Sequence, residues 1–163
     1  MMASWDKKYF VTDLVNTNML DAPWNPDFSA EAGTRLLAMD SRIKKGAFYM
    51  ELAWFWPGKW PAEIGTKGTV KPHDHPFDEA IAFVGTNFDE PYSLGGEVEL
   101  WVDGKQNILD RSFVAFIPAG IVHCPLRILK IERPIFHFTA GMGHNYNLKK
   151  ARNEGQRRKE TGS

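Results

Sequence analysis

Short apolar runs, broken by Gly, Pro, Asn and Asp at near-regular intervals, restrict what this chain can fold into more than any other feature. Strands recurring about every 8–12 residues between turn signals are the pattern of a β-sandwich or barrel. The runs predict strands over Arg35 to Met39, Ala47 to Trp56, Val70 to His75, Glu79 to Val84, Glu97 to Val102, Gln106 to Leu109, Ser112 to Ile117, Val122 to Ile128 and Pro134 to Thr139. Between them lie Trp56-Pro57-Gly58, Asp103-Gly104 and Pro118-Ala119-Gly120, and Asp-Gly between strand-like runs is a strong two-residue hairpin signal. Helix signals are scarce, since Ser29 and the alanines after it are confined by Pro26 and Gly33. An all-β chain with little helix follows, and 13% aromatic residues suit strands and pocket walls.

At 163 residues the chain is long enough for one domain that buries about 70% of its unfolded surface. Lys and Arg total 20 and Asp and Glu total 20, so no global field draws the chain to nucleic acid or to an anionic membrane. Residues 149–163 hold six basic and two acidic residues and no aromatic or branched aliphatic one, which predicts a charged, disordered tail. The expected organisation is an extension over 1–34, a barrel over 35–148 and this tail. A lone cysteine, Cys124, cannot close an internal disulfide, and no secretory leader opens the sequence, so a cytoplasmic location is expected. The longest apolar stretch, Ala47 to Trp56, is interrupted by Glu51 and is too short to span a bilayer.

The chemistry is concentrated in Gly68-Thr-Val-Lys-Pro-His73-Asp-His75-Pro-Phe-Asp-Glu79, followed by Gly85. Side chains at i and i+2 of a strand share a face, so His73, His75, Phe77, Glu79, Ile81 and Phe83 project together. By itself a His-x-His pair is as readily a surface pair as a ligand pair. Set beside Glu79 among large apolar groups it describes a metal site, because a cation stabilises a carboxylate in a dry cavity that would otherwise neutralise. Pro118-Ala119-Gly120-Ile121-Val122-His123 offers a third imidazole from another strand.

These two segments resemble the paired motifs of the cupin superfamily, Gly-x5-His-x-His-x(3 or 4)-Glu-x6-Gly and Gly-x5-Pro-x-Gly-x2-His-x3-Asn. Here Gly68 stands one residue closer to His73, Gly85 one closer to Glu79, Ser112 replaces the first Gly of the second motif, and Arg127 replaces the Asn. The resemblance implies a double-stranded β-helix, a jelly-roll barrel of two antiparallel sheets. It also implies one divalent transition metal ion held by His73, His75, Glu79 and His123. Three imidazoles and a carboxylate suit Fe, Mn, Co, Ni, Cu or Zn better than Mg or Ca. Cupins often dimerise, so a homodimer is expected, with Trp54, Trp56 and Trp60 as candidates to cover the interface. The long link Thr86 to Gly96 is expected to be a loop at the pocket rim or a dimer contact.

Around this centre, strand parity carries Arg127 to the same inward face as His123, where it would meet a substrate anion or an internal acid such as Glu51, Glu97 or Glu99; a bulge would turn it outward. His137 is either a pocket acid or base or a packed strand histidine, and His144 is expected in a loop. Cys124 reads as a small buried hydrophobe rather than a nucleophile. Tyr49 and Glu51 share one face of their strand, and Phe48, Met50, Leu52, Trp54 and Trp56 the other. Either Tyr49 and Glu51 form an acid/base pair beside the metal, or the aromatic row fills the core. The expected function is a metal-dependent enzyme acting on a small oxygenated molecule by Lewis-acid and acid/base chemistry, of lyase, isomerase or hydrolase type. A metal-dependent dioxygenase and a non-catalytic small-molecule binder are the alternatives.

Overall fold

The predicted punctuation becomes strand and turn almost run for run in the computed structural model, which describes residues 8–13, 33–58, 71–143 and 149–150. In chain order the strands are β1 (Gly33–Met39), β2 (Tyr49–Phe55), β3 (His73–Asp74), β4 (Glu79–Val84), β5 (Ser93–Val102), β6 (Lys105–Arg111), β7 (Phe113–Ile117), β8 (His123–Ile131), β9 (Ile135–Gly141) and β10 (Lys149–Lys150). Among the described residues there is no helix. The proposed helical turn at Ser29, and with it Gly68, Trp60 and His144, lies outside the described residues.

Every strand pairing is antiparallel, and the strands form two five-stranded sheets in the orders β1-β2-β9-β4-β7 and β10-β3-β8-β5-β6. From β2 to β9 the chain passes back and forth between the sheets in the manner of a jelly roll, except at the β5–β6 hairpin, which stays in one sheet, and β1 and β10 extend one sheet each. The fold is thus the expected all-β jelly-roll barrel of two antiparallel sheets. Its core lies between the sheets, where Phe55, Ile81, Phe83 and Ile135 meet Leu94, Val98, Leu100, Leu126 and Ile128.

Alternation decides what each strand contributes. On β2, Tyr49, Glu51, Ala53 and Phe55 are buried, while Met50, Leu52 and Trp54 lie on the outer face. The question left open by the sequence is settled in favour of Tyr49 and Glu51 inside. The outer apolar row is not bare. Tyr9, Phe10 and Val11 line an apolar cavity with Leu37, Met39, Met50 and Leu52, and Trp54 stacks on Trp56 with ring centroids 5.9 Å apart.

Simple parity fails on β8. Val102 of β5 pairs with His123, but Leu100 pairs with Leu126, so β8 holds one residue more than its partner over this stretch. Such a bulge inverts the faces beyond it. His123 points inward, as do Leu126 and Ile128, and Arg127 is turned out, its side chain 48% exposed and 3.5 Å from Glu99. The expectation that Arg127 lines the pocket is therefore corrected. Cys124, within the bulge at φ 74°, is buried in the core cluster as expected, and burial raises its thiol pKa above the ordinary range.

Two boundaries also move. β5 begins at Ser93, so only part of the link read as Thr86 to Gly96 is loop. Gly96 hides the strand from sequence reading, yet it is needed there, since a Cβ would come 2.4 Å from the Lys130 carbonyl oxygen. At the other end, Lys149 and Lys150 pair with Asp74 and His73, so this sheet takes in the first two residues of the expected tail.

The hairpin between β5 and β6 turns at Asp103 and Gly104, with φ of 50° and 72°, as the Asp-Gly signal requires. Gly85 has a different task. Its N–H donates to Ser112 Oγ at 3.0 Å, and a Cβ there would sit 2.1 Å from the Ser93 carbonyl oxygen. Gly85→Ala is expected to cost about 1–3 kcal/mol by overpacking. Gly104→Ala, whose Cβ meets nothing within 4 Å, should cost only about 1 kcal/mol for the left-handed backbone. Urea denaturation of the two variants tests that order.

Candidate metal centre

His73 and His75 do not stand on one continuous strand with Glu79. The chain leaves β3 at Asp74, crosses from one sheet to the other and re-enters strand at Glu79. His73 therefore approaches from one sheet, His75 from the crossing and the carboxylate from the other sheet, and the face they share is the barrel lumen. His123 sits directly across the β3–β8 pairing from His73. The Pro118-Ala119-Gly120 turn is tied to the same crossing, with Gly120 N–H donating to the His75 carbonyl at 2.8 Å and Ala119 N–H to Asp78 Oδ1 at 2.9 Å. Gly120, at φ 79°, makes that turn.

One ring nitrogen from each of His73, His75 and His123 lies within 4.8 Å of the others, and all three residues are buried. His73 Nδ1 is 2.7 Å from the Lys71 carbonyl and His123 Nδ1 is 3.1 Å from the Ile121 carbonyl. A carbonyl only accepts, so each Nδ1 carries a hydrogen and Nε2 is the nitrogen left to meet a cation. Burial, reinforced by His123, lowers the His73 pKa to about 4 and keeps it neutral. Phe77 stacks on His75 at 4.8 Å, and Gly141 and Gly143 make room for it, since a Cβ at either would be 2.4 Å from its ring.

Glu79 closes the group from the opposite sheet. Its Oε2 lies 3.0 Å from His123 Nε2 and 3.3 Å from His75 Nε2. Oε2 and His123 Nε2 are buried and form no aligned hydrogen bond. Burial alone would raise the carboxyl pKa; hydrogen bonding and positive charge that His123 and His75 can supply lower it to about 2, so the carboxylate is kept only where those nitrogens carry a proton or a cation stands in the proton's place. A carboxylate oxygen facing two imidazole nitrogens in a dry lumen needs a shared positive charge. The donor set therefore fits a borderline divalent ion.

Two further groups border this centre. Tyr49 OH lies 3.4 Å from Glu51 Oε2, and Arg35 Nε donates to Glu51 Oε1 at 2.9 Å. Burial, and then the charges of Glu51 and Glu79, raise the Tyr49 pKa well above its ordinary value. On the adjoining β9, Thr139 Oγ1 donates to Glu79 Oε1 at 2.9 Å. Sequence reasoning missed Arg35 and Thr139. The inward guanidinium sought at Arg127 is supplied by Arg35, on an edge strand whose register slips between Arg35 and Leu37. Thr139 was legible by parity, two residues beyond His137 on the same face.

His137 faces inward but stands in the Ala53–Phe83 row rather than the Glu51 row. Its ring lies 4.4 Å from that of Phe83 and 5.7 Å from that of Phe55, and its Nδ1 donates to the Ala82 carbonyl at 2.9 Å. The structure thus groups Tyr49, Glu51 and Glu79 around the three clustered histidines, sets His137 in the apolar layer and leaves Arg127 outside.

No family model and no curated protein matches the chain. Among solved structures it is similar to a recombinant oxalate oxidase in complex with glycolate, at 16% identity and TM-score 0.49, covering 90% of this chain and 65% of that one. It is also similar to KdgF from Halomonas sp., at 14% identity and TM-score 0.37, covering 66% and 76% of the two chains. A third is an RmlC-like cupin from Shewanella frigidimarina, at 15% identity and TM-score 0.38, covering 69% and 78%. The chain spans 57–65% of the length of the oxalate oxidase chains. Likeness at this level does not reach substrate or reaction.

Burial lowers the His137 pKa from 6.5 to about 4 in the folded protein. Between those values the unfolded chain binds a proton that the folded one refuses. The stabilisation from a neutral His137 is therefore complete above pH 6.5 and is lost as pH falls towards 4, at up to about 1.4 kcal/mol per pH unit. Urea unfolding of metal-free protein across this range should show the fall, and His137→Leu should flatten it in part.

Proposed function

We propose that the chain is a metal-dependent cupin-type enzyme that acts on a small oxygenated molecule, carbonyl, enol or carboxylate-bearing, by non-oxidative proton-transfer chemistry. The observation that carries this reading is the convergence of three buried imidazoles with Glu79 beside a second buried group, Tyr49–Glu51–Arg35. His73, His75, His123 and Glu79 would hold one divalent transition ion. When bound, that ion supplies Lewis acidity towards a substrate oxygen.

The chain's own residues supply the rest. Tyr49 is kept protonated by burial and by its carboxylate neighbours, so it meets the substrate as a phenol. A proton leaving the substrate would be received at Tyr49 Oη as the phenol's own proton passes to Glu51 Oε2, 3.4 Å away. The Arg35 guanidinium, bound to Glu51 Oε1 at 2.9 Å, holds Glu51 in place beside the phenol. Phe55, Phe83, Ile81 and Leu126 form the apolar core below, which excludes water from one side of this layer.

A second copy of the chain is the proposed partner. Among the described residues β7 ends its sheet and exposes Val114 and Phe116, each 65% exposed, without a charged residue on the strand. Light scattering should give twice the chain mass, and Val114→Lys should return it to one.

The functional reading is tested in two steps. Protein purified without chelator should carry about one transition ion per chain, and His123→Ala should lose it while remaining folded. With a turned-over substrate in hand, Tyr49→Phe should lower kcat about 100-fold or more while keeping the ion. Turnover should persist without oxygen and with Zn(II). Oxygen consumed in step with product would favour a dioxygenase instead.

A further inference from the structure

The two oxygens of Glu79 have separate surroundings. Oε2 faces His75 and His123, whereas Oε1 accepts the Thr139 hydroxyl at 2.9 Å. Thr139 is 4% exposed and stands on β9, between β2 and β4 in the middle of its sheet, opposite Glu51 on one side and Ile81 on the other. A buried carboxylate on a flexible side chain has no intrinsic preference for which oxygen it turns inward. The rigid β-branched Thr139, locked in a central strand, removes that freedom.

We infer that Thr139 is a positioning residue for the metal centre: it commits one oxygen of Glu79 to the protein and thereby aims the other at the ion. The inference rests on Glu79 being a donor to that ion. The hydroxyl contributes no charge and lies on the far oxygen, so its effect reaches the ion only through Glu79. Hydrogen bonds of this kind to a ligating group are commonly worth about 10–100-fold in metal affinity.

The test is titration of chelator-treated full-length protein with Zn(II) against a chromophoric competitor, together with the visible spectrum of the Co(II) form. Thr139→Val should weaken Zn(II) binding about 10–100-fold and alter the Co(II) band, whereas Thr139→Ser, which keeps the hydroxyl, should stay within about threefold of the parent on both. Glu79→Gln should weaken binding at least as much, and adding Thr139→Val to it should cost little more, since the hydroxyl has lost the oxygen it orients. If Thr139→Val does not fold, Thr139→Ala takes its place in the same comparison. Parent-like Zn(II) affinity and Co(II) spectrum in the variant lacking the hydroxyl, with Glu79→Gln impaired, would overturn the role of Thr139 alone. Parent-like affinity in Glu79→Gln, or no ion bound by the parent, would overturn the reading of Glu79 as a donor and this inference with it. Loss of metal-free stability in the variant without the hydroxyl, with Zn(II) affinity unchanged, would make Thr139 merely structural.

Discussion

A carboxylate oxygen that faces imidazole nitrogens across 3.0 and 3.3 Å inside a barrel is the constraint around which the structure is arranged. Left alone, such a group costs several kcal/mol in desolvation, and it can be kept only if a positive charge is shared among its members. The surroundings are built for that condition. Backbone carbonyls fix the Nδ1 hydrogens of His73 and His123, Phe77 stacks on His75, and Thr139 occupies the second oxygen of Glu79. Each of these contacts removes a way for the group to relax without a cation.

The fold brings the group together by a crossing rather than by a strand. His73 belongs to one sheet and Glu79 to the other, His75 stands on the short link between them, and that link is pinned by the Pro118-Ala119-Gly120 turn that also delivers His123. Two segments distant in sequence are thus stitched by one backbone hydrogen bond and one to the Asp78 carboxylate before any ion is considered. The same inner face carries Tyr49 and Glu51 into the adjoining rows and His137 into the apolar layer beneath. Polar and apolar layers of the lumen therefore follow from a single alternation repeated on β2, β4 and β9.

Arg35 and Arg127 show how little separates a pocket residue from a surface one. Both are strand arginines next to a register slip, and both pair with a strand glutamate. The side chain of Arg35 is 13% exposed and joins Glu51 in the lumen, while that of Arg127 is 48% exposed and meets Glu99 on the outer face. A single extra residue in β8 makes the difference for Arg127, and nothing in the composition of that segment marks it. His137 illustrates the converse: an inward, buried histidine whose row places it among Phe55 and Phe83, away from the charged groups.

What the sequence by itself determined is local. Alternation, turn residues and the spacing of His73, His75, Glu79 and His123 were enough for the strand order along the chain, the Asp103-Gly104 hairpin and the convergence of these four side chains. These depend on backbone preferences and on side-chain periods that act within a few residues. Tertiary structure alone decided which face of β2 looks inward, that Thr139 meets Glu79, that Arg35 rather than Arg127 enters the lumen, and that Lys149 and Lys150 extend a sheet. Those outcomes depend on register against a distant strand, and one inserted residue reverses every side chain beyond it without leaving a trace in the pattern that precedes it.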